Sequence, residues 1–204
     1  RIMKNLNDFG FQAINANQLA DFLDFNAKIP QRSVVLIQDD RHSAENYNDW
    51  FRPYWQQLGW PVINAWISWD DSIRNQILQD NIALGAEGFV DFQSHGYVHN
   101  TPMTDSMSDE YIRSEFERSK ADLQQNFNKT PVAIIWPGGG FGVRPVQIAR
   151  EFGYRIGFPG GGEWREVFNS DVYENWVNPG VIGNGGRVVA DPHRDPLARA
   201  EQSG

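Results

Sequence analysis

An alternation constrains this chain more than any other feature. Short apolar runs rich in β-branched residues recur along it: "SVVLIQDD", "PVINAWISW", "GFVDFQS", "PVAIIW", "YRIGF" and "RVVA". Runs of this length, bounded by turn residues, read as buried strands. The intervals between them read as helices. Residues 2–9 and 17–25 are helical, with Leu19, Phe22 and Leu23 on one stripe and Pro30 ending the region. Residues 44–58 carry aromatic residues at helical spacing, among them Tyr47, Trp50, Phe51 and Trp55. Asp70, Asp71 and Ser72 read as caps for a helix reaching Leu84, and residues 145–152 form a short helix. The clearest helix spans 108–128, with Ser108 as its cap and Tyr111, Ile112, Phe116 and Leu123 on its apolar face. Its other face is solvated rather than a docking surface. Strands that alternate with helices pair in parallel, because a parallel return needs a crossover. The prediction is an α/β fold of the (β/α) barrel type, with an open doubly wound sheet as the alternative. Residues 160–187, rich in Gly and Asn, receive no assignment.

In both architectures the functional groups gather at the carboxyl ends of the strands. The "VVLIQ" strand ends in Asp39 and Asp40, the "FVDFQS" strand runs into His95 and His99, and the "VAIIW" strand ends in Pro137 and Gly138. The chain has four histidines in 204 residues, and two of them fall in the stretch "HGYVH". Two imidazoles and a carboxylate are a common ligand set for a catalytic divalent metal. Zinc is the first expectation, because N and O donors with an open position suit it. Such a metal brings the pKa of a bound water toward about 7, and a second carboxylate can take the water's proton. Adjacent residues on a regular strand face opposite ways, so Asp39 and Asp40 can share a site only if the strand breaks between them. Taken singly, each signal has a plainer reading. An HxxxH pair without the metalloprotease Glu is compatible with core or capping histidines. An Asp-Asp pair after a strand is compatible with a helix cap, as Asp70-Asp71 illustrates. Their order along successive strand ends joins them.

Composition narrows the partners. A formal charge of -8 disfavours nucleic acid and anionic membranes, both of which call for a basic face. The absence of cysteine removes disulfides, thiolate metal sites and cysteine nucleophiles. No stretch is long and apolar enough to span a membrane as a helix, and no G-x-S-x-G elbow indicates a serine hydrolase. Eight Trp is a high count, and exposed Trp rings serve as platforms in sugar-binding clefts.

At the same residues the chain resembles the polysaccharide deacetylases of carbohydrate esterase family four. "LIQDD" matches the two Asp of their T-F-D-D-G motif, "HGYVH" both His of H-[ST]-x-x-H, and "IWPGG" the Pro of R-x-P-Y. The order agrees over residues 1–160, and the lead-in "NDFGFQAINANQLADFLDFNAKIPQRSVVLIQDD" is similar to members acting on poly-N-acetylglucosamine. The resemblance implies a distorted (β/α) barrel with fewer than eight parallel strands. It implies Asp39 as general base, and Asp40, His95 and His99 as ligands of a divalent metal: zinc, with cobalt or nickel as alternatives. It implies that the N–H of Gly138 helps to stabilise the oxyanion. The reaction implied is hydrolysis of N-acetyl groups on a glycan, with O-acetyl groups as the lesser option. That substrate places the activity outside the cell or at its surface. The chain departs from the family at Arg41 for Gly, Gly96 for Ser or Thr, and Ile135 for Arg. The late histidine proposed in the family as general acid has one candidate, His193 in "VVADPHRDP", for which a plain tail histidine is an equal reading. A non-catalytic glycan-binding domain and an amidase acting on a small cyclic amide are the alternatives.

Three further residues, Trp136, Pro137 and Tyr97, are assigned to substrate binding: Trp136 as a wall of the cleft, with a core position as an equal reading, and Tyr97, between the two histidines, as a shaper of the pocket. "PGGGFG" lacks the Lys-Ser/Thr of a phosphate loop, and its glycines are read as allowing close approach to a ligand, with a plain turn as the alternative. His42 is expected at the surface, and Asp105 as a cap or turn residue. The whole of 1–204 is read as a single catalytic domain excised from a longer chain, so a signal peptide would lie beyond it.

Overall fold

The structure is a computed structural model and describes residues 2–98, 101–159 and 168–169. The elements run α1 (Ile2–Asp8), β1 (Gln12–Ala13), α2 (Ala16–Phe25), β2 (Ser33–Val34), β3 (Ile37–Gln38), α3 (Ala44–Trp50), α4 (Arg52–Leu58), β4 (Val62–Trp66) and α5 (Ser72–Ala86). They continue with β5 (Val90–Ser94), α6 (Asp109–Phe127), β6 (Ala133–Trp136), a 3-10 turn at Pro137–Gly139, α7 (Val143–Glu151), β7 (Ile156–Pro159) and β8 (Phe168–Asn169). Strands β3 to β7 pair in parallel in sequence order, β8 adds an antiparallel edge, and β1 and β2 form a separate parallel pair.

Sequential order separates the two predicted architectures. A doubly wound sheet reverses its strand order at a switch point, whereas a barrel winds one way. Five parallel strands in unbroken order therefore form a curled half-barrel with helices around it, the distorted barrel with fewer than eight parallel strands that the sequence implies. Both faces of the sheet are buried, as parallel sheets require. Val62, Trp66, Val90 and Phe92 pack with Leu84 of α5 and Leu123 of α6. The alternate residues Ile63, Ala65, Ala133, Ile135 and Ile156 pack with Ala16 and Ala20 of α2. The period of two thus sorts each strand between two cores.

The expected single strand over "SVVLIQDD" is instead two two-residue pieces, β2 and β3, and both are only partly buried. The predicted helix over 44–58 divides at Phe51, because Pro53 has no N–H to continue the ladder and instead opens a second helix. Helix α6 matches its prediction: Ser108 accepts from the Tyr111 N–H, and Asn128 closes the helix in the left-handed region. Its buried side also holds Glu115, Ser119 and Asp122, polar residues set among Ile112, Phe116 and Leu123. The predicted "RVVA" strand lies outside the described residues. Among the described residues, no helix is long and apolar enough to cross a membrane.

Candidate functional site

The site is built from the chain that follows β3. Ile37 belongs to the α2-side core, so Asp39, two residues on, continues toward the same side. Asp40 would face away on a regular strand. It adopts φ 59° instead, a left-handed conformation that Asp tolerates better than most residues. The strand break that the sequence required is therefore a single backbone reversal. Contacts on both sides hold it. The Asn64 side chain donates to the Asp40 carbonyl at 3.0 Å. Arg41, whose side chain is 4% exposed, forks onto both Asp71 oxygens at 2.8 and 3.2 Å and donates to the Trp69 carbonyl at 2.9 Å. Asp71 also caps α5 by accepting from the Arg74 N–H at 2.8 Å. The Asp read from sequence as a simple cap is thus also the counter-ion of Arg41, which replaces the family's Gly.

His95 arrives from β5 with the same parity as Asp91 and Gln93. It is 1% exposed. Its Nδ1 lies 2.7 Å from the carbonyl of Ile135 on β6. A carbonyl only accepts, so Nδ1 carries the hydrogen and the neutral ring presents a bare lone pair at Nε2. That atom is buried without a hydrogen-bond partner, and it lies 3.5 Å from Asp39 Oδ1 and 3.5 Å from Asp40 Oδ1. A lone pair facing two carboxylates is repulsive unless a cation sits between them. The His95 pKa reflects this. Burial, the strongest influence, lowers it, but the Asp40 carboxylate beside the ring, the Asp39 charge and the Ile135 carbonyl together raise it above the ordinary value. The field that draws a proton there also draws a metal. One ligand atom each from Asp39, Asp40 and His95 lies within 4.8 Å of the others, and one nitrogen with carboxylate oxygens fits a divalent cation such as zinc, cobalt or nickel.

The loop leaving His95 has its own support. Gly96 has φ 74°, and a Cβ there would meet Glu115 Oε2 and Pro137 Cγ, each at 3.1 Å. Glu115, 2% exposed, accepts the N–H groups of Tyr97 at 2.7 Å and Val98 at 2.9 Å. The departure from Ser or Thr at Gly96 therefore has a packing cause, and Glu115 supplies the anchor. Sequence reasoning missed it. The available signal was the i, i+4, i+7 spacing of Glu115, Ser119 and Asp122 on the apolar side of α6. Burial raises the Glu115 pKa, and the Val98 and Tyr97 N–H groups, the Arg118 charge and the Tyr111 hydroxyl offset it only in part. Between the ordinary value of 4.5 and the higher folded value, the native state binds more protons than the unfolded chain. Stability from this group is thus full at low pH and falls as pH rises through the folded pKa. Glu115→Gln should flatten that segment of the stability curve, as urea titrations of both forms at stepped pH would show.

Two substrate-binding assignments are corrected. Trp136 is 0% exposed, packed against Phe116 and Phe141, and cannot wall a cleft. Pro137 is buried too, against the position where Gly96 would carry a side chain. The cause is parity and crowding: β6 is buried on both faces to its last residue. Gly138 follows in an exposed left-handed turn with φ 57°. Tyr97 is half-buried at the rim, edge-on to Trp69, with Arg118 over its ring. The glycines at 140 and 142 approach protein rather than open space. A Cβ would stand 2.5 Å from Pro102 Cβ at Gly140 and 2.5 Å from the Asp105 carboxyl at Gly142. Asp105 accepts from the Val143 and Arg144 N–H groups at the start of α7, a capping role as expected. His42 is half-buried, with Nε2 2.8 Å from the Asp39 carbonyl. His99 and His193 lie outside the described residues.

A partial (β/α) barrel whose carboxyl-end rim gathers two carboxylates and an imidazole defines a barrel protein with a candidate metal centre. The family model of polysaccharide deacetylase matches residues 28–157, and the chain belongs to this family, one of hydrolases that deacetylate polysaccharides. The fold is similar to that of the Streptococcus pyogenes deacetylase PplD in complex with acetate, at 19% identity and TM-score 0.68 over 83% of this chain and 73% of that one. It is also similar to the BpsB deacetylase domain from Bordetella bronchiseptica, at 17% identity and TM-score 0.66 over 84% and 79%. At these identities the likeness is one of fold. Among curated proteins, a 56-residue stretch is 46% identical to part of a 1,4-alpha-glucan branching enzyme of Xanthomonas euvesicatoria. That match covers 24% of this chain, and the chain spans 7% of that enzyme.

Proposed function

We propose that this chain is a metal-dependent hydrolase that removes N-acetyl groups from a polysaccharide of the poly-N-acetylglucosamine kind. The observation that carries the reading is the meeting of Asp39, Asp40 and the orphaned His95 Nε2 at one point on the rim. Asp40 and His95, with His99, are assigned to hold the cation. When bound, such a cation supplies Lewis-acid charge that acidifies water and polarises an amide carbonyl. Asp39 is assigned to accept the proton of the attacking water, a role that its 60% exposed side chain supports. Gly138 is assigned to donate its N–H to the oxyanion. The departing amine takes its proton from Asp39 or from His193.

The test is acetate release from N-acetylglucosamine oligomers. Activity should appear with added zinc or cobalt, vanish on chelation and return with metal. Acetylated oligomers that bind but release nothing under any of these metals would instead make the chain a glycan-binding domain. Hydrolysis confined to small cyclic amides would make it an amidase.

A further inference from the structure

We propose that Arg41, clasped to Asp71, is a positioning residue that holds Asp40 in its ligand conformation and so sets how tightly the candidate centre binds a divalent cation. The proposal rests on the metal-dependent reading of the site. It adds a determinant outside the ligand set, at a position where the chain departs from the family's Gly.

The two ligands reach the rim from unequal supports. His95 follows β5, all five residues of which pair with β4, and its Nδ1 is fixed by the Ile135 carbonyl. Asp40 follows β3, of which only Ile37 and Gln38 pair with β4. So short a ladder gives the chain beyond it little hold, and Asp40 must also keep φ 59° there. Side-chain ties stand in for the missing ladder. Arg41 makes the firmest of them. Its side chain is 4% exposed and donates to Asp71 Oδ2 at 2.8 Å, to Asp71 Oδ1 at 3.2 Å and to the Trp69 carbonyl at 2.9 Å. A planar fork on a carboxylate fixes orientation as well as distance, which a Lys ammonium does not. Asp71 is fixed in turn, since it accepts from the Arg74 N–H at 2.8 Å and so caps the fifteen-residue helix α5. The Arg41 hydrogen bonds, the largest influence on it, hold its carboxyl below the ordinary range, so the pair is ionised at neutral pH. Asp40 is thereby fastened through Arg41 and Asp71 to a rigid helix.

The sign of the effect separates this role from that of a nearby charge. An unpaired guanidinium beside the centre would repel a cation, and its removal would tighten binding. Asp71 neutralises Arg41, so what remains is the geometric hold, and its loss loosens binding.

The experiment measures the zinc affinity of the metal-free chain by competition with a chromophoric chelator, and thermal unfolding with and without zinc. Arg41→Ala should weaken zinc about 10–100-fold, the range seen when residues that orient metal ligands are removed. Asp71→Asn keeps an acceptor for the α5 cap and should weaken zinc in the same direction. The double change should be no weaker than the worse single one, because the two side chains act as one unit. Arg41→Lys keeps the charge without the fork and should stay weakened. In each weakened chain zinc should raise Tm less than in the parent, since stabilisation by a ligand falls with its affinity. An Arg41→Ala chain whose affinity lies within about twofold of the parent, or is tighter, would overturn the proposal. So would losses that add in the double change, or a lowered Tm with zinc affinity unchanged, which would make the pair merely structural. Arg52→Ala removes the exposed pair with Glu87 at the other end of α5, and an equal loss of zinc affinity there would also overturn it. A parent chain that binds zinc with the expected pattern but releases no acetate would sink the hydrolase reading and leave the clasp standing. A parent chain with no zinc affinity would end both.

Discussion

Replacing Asp39 by Asn should lower the rate of acetate release by about 10²–10⁴-fold, the range that general acid–base catalysis supplies. Metal content should stay close to that of the parent. The two carboxylates stand equally near His95 Nε2, at 3.5 Å each, so distance does not divide their roles. Burial does. Asp40 Oδ1 is buried, and its residue is locked by the left-handed turn, by Asn64 on its carbonyl and by Arg41 beside it. A ligand needs such rigidity. The Asp39 side chain is 60% exposed against 44% for Asp40, which suits a group that exchanges protons with water. The amide of Asn keeps the shape and one acceptor but has no useful proton affinity. Loss of metal together with activity in the Asp39→Asn chain would exchange the two roles. Undiminished turnover would remove Asp39 from the chemistry.

The largest loss of stability is expected at Asp122, remote from the rim. Its carboxylate joins the Arg74 guanidinium, the Trp66 indole N–H at 3.0 Å and the Asn126 amide at 2.7 Å. The paired side chains of Arg74 and Asp122 are 10% and 8% exposed. This network fastens α5 and α6 to β4. Asp122→Ala would leave the buried Arg74 guanidinium with only the exposed Asp70 carboxylate, 3.7 Å away, and breaking a buried pair costs about 3–5 kcal/mol. For a chain of this size that corresponds to a drop in Tm of roughly 6–20 °C. Thermal unfolding of the two chains at one pH measures it. The partner change Arg74→Met, combined with Asp122→Leu, should recover much of the loss, since an apolar pair of similar volume is often neutral. A drop under 1 kcal/mol for Asp122→Ala would show that solvent reaches Arg74 in solution.

The alternation of strand and helix, and the residues at the strand ends, were legible from the sequence because both are local. A period of two or 3.6 records which side of one element is buried, and the end of an apolar run marks where its chemistry must sit. Asp39, Asp40 and His95 were found in this way, as was the need for a break between the two carboxylates. The form of that break was not legible. It depends on Asn64, 24 residues away, and on Asp71, 30 residues from Arg41. For Trp136 the position at a strand end leaves cleft and core equally open, and for Pro137 it suggests the cleft, but the end of β6 is covered on both sides by elements that local pattern does not identify. In the sequence Glu115 is one more charge on a solvated helix; only the loop after His95, which lies against it, makes it an anchor. The order of groups along the chain thus came from periodicity and composition. Which groups face one another, which are covered and which are open to solvent came only from packing, because those properties belong to pairs of residues far apart in the chain.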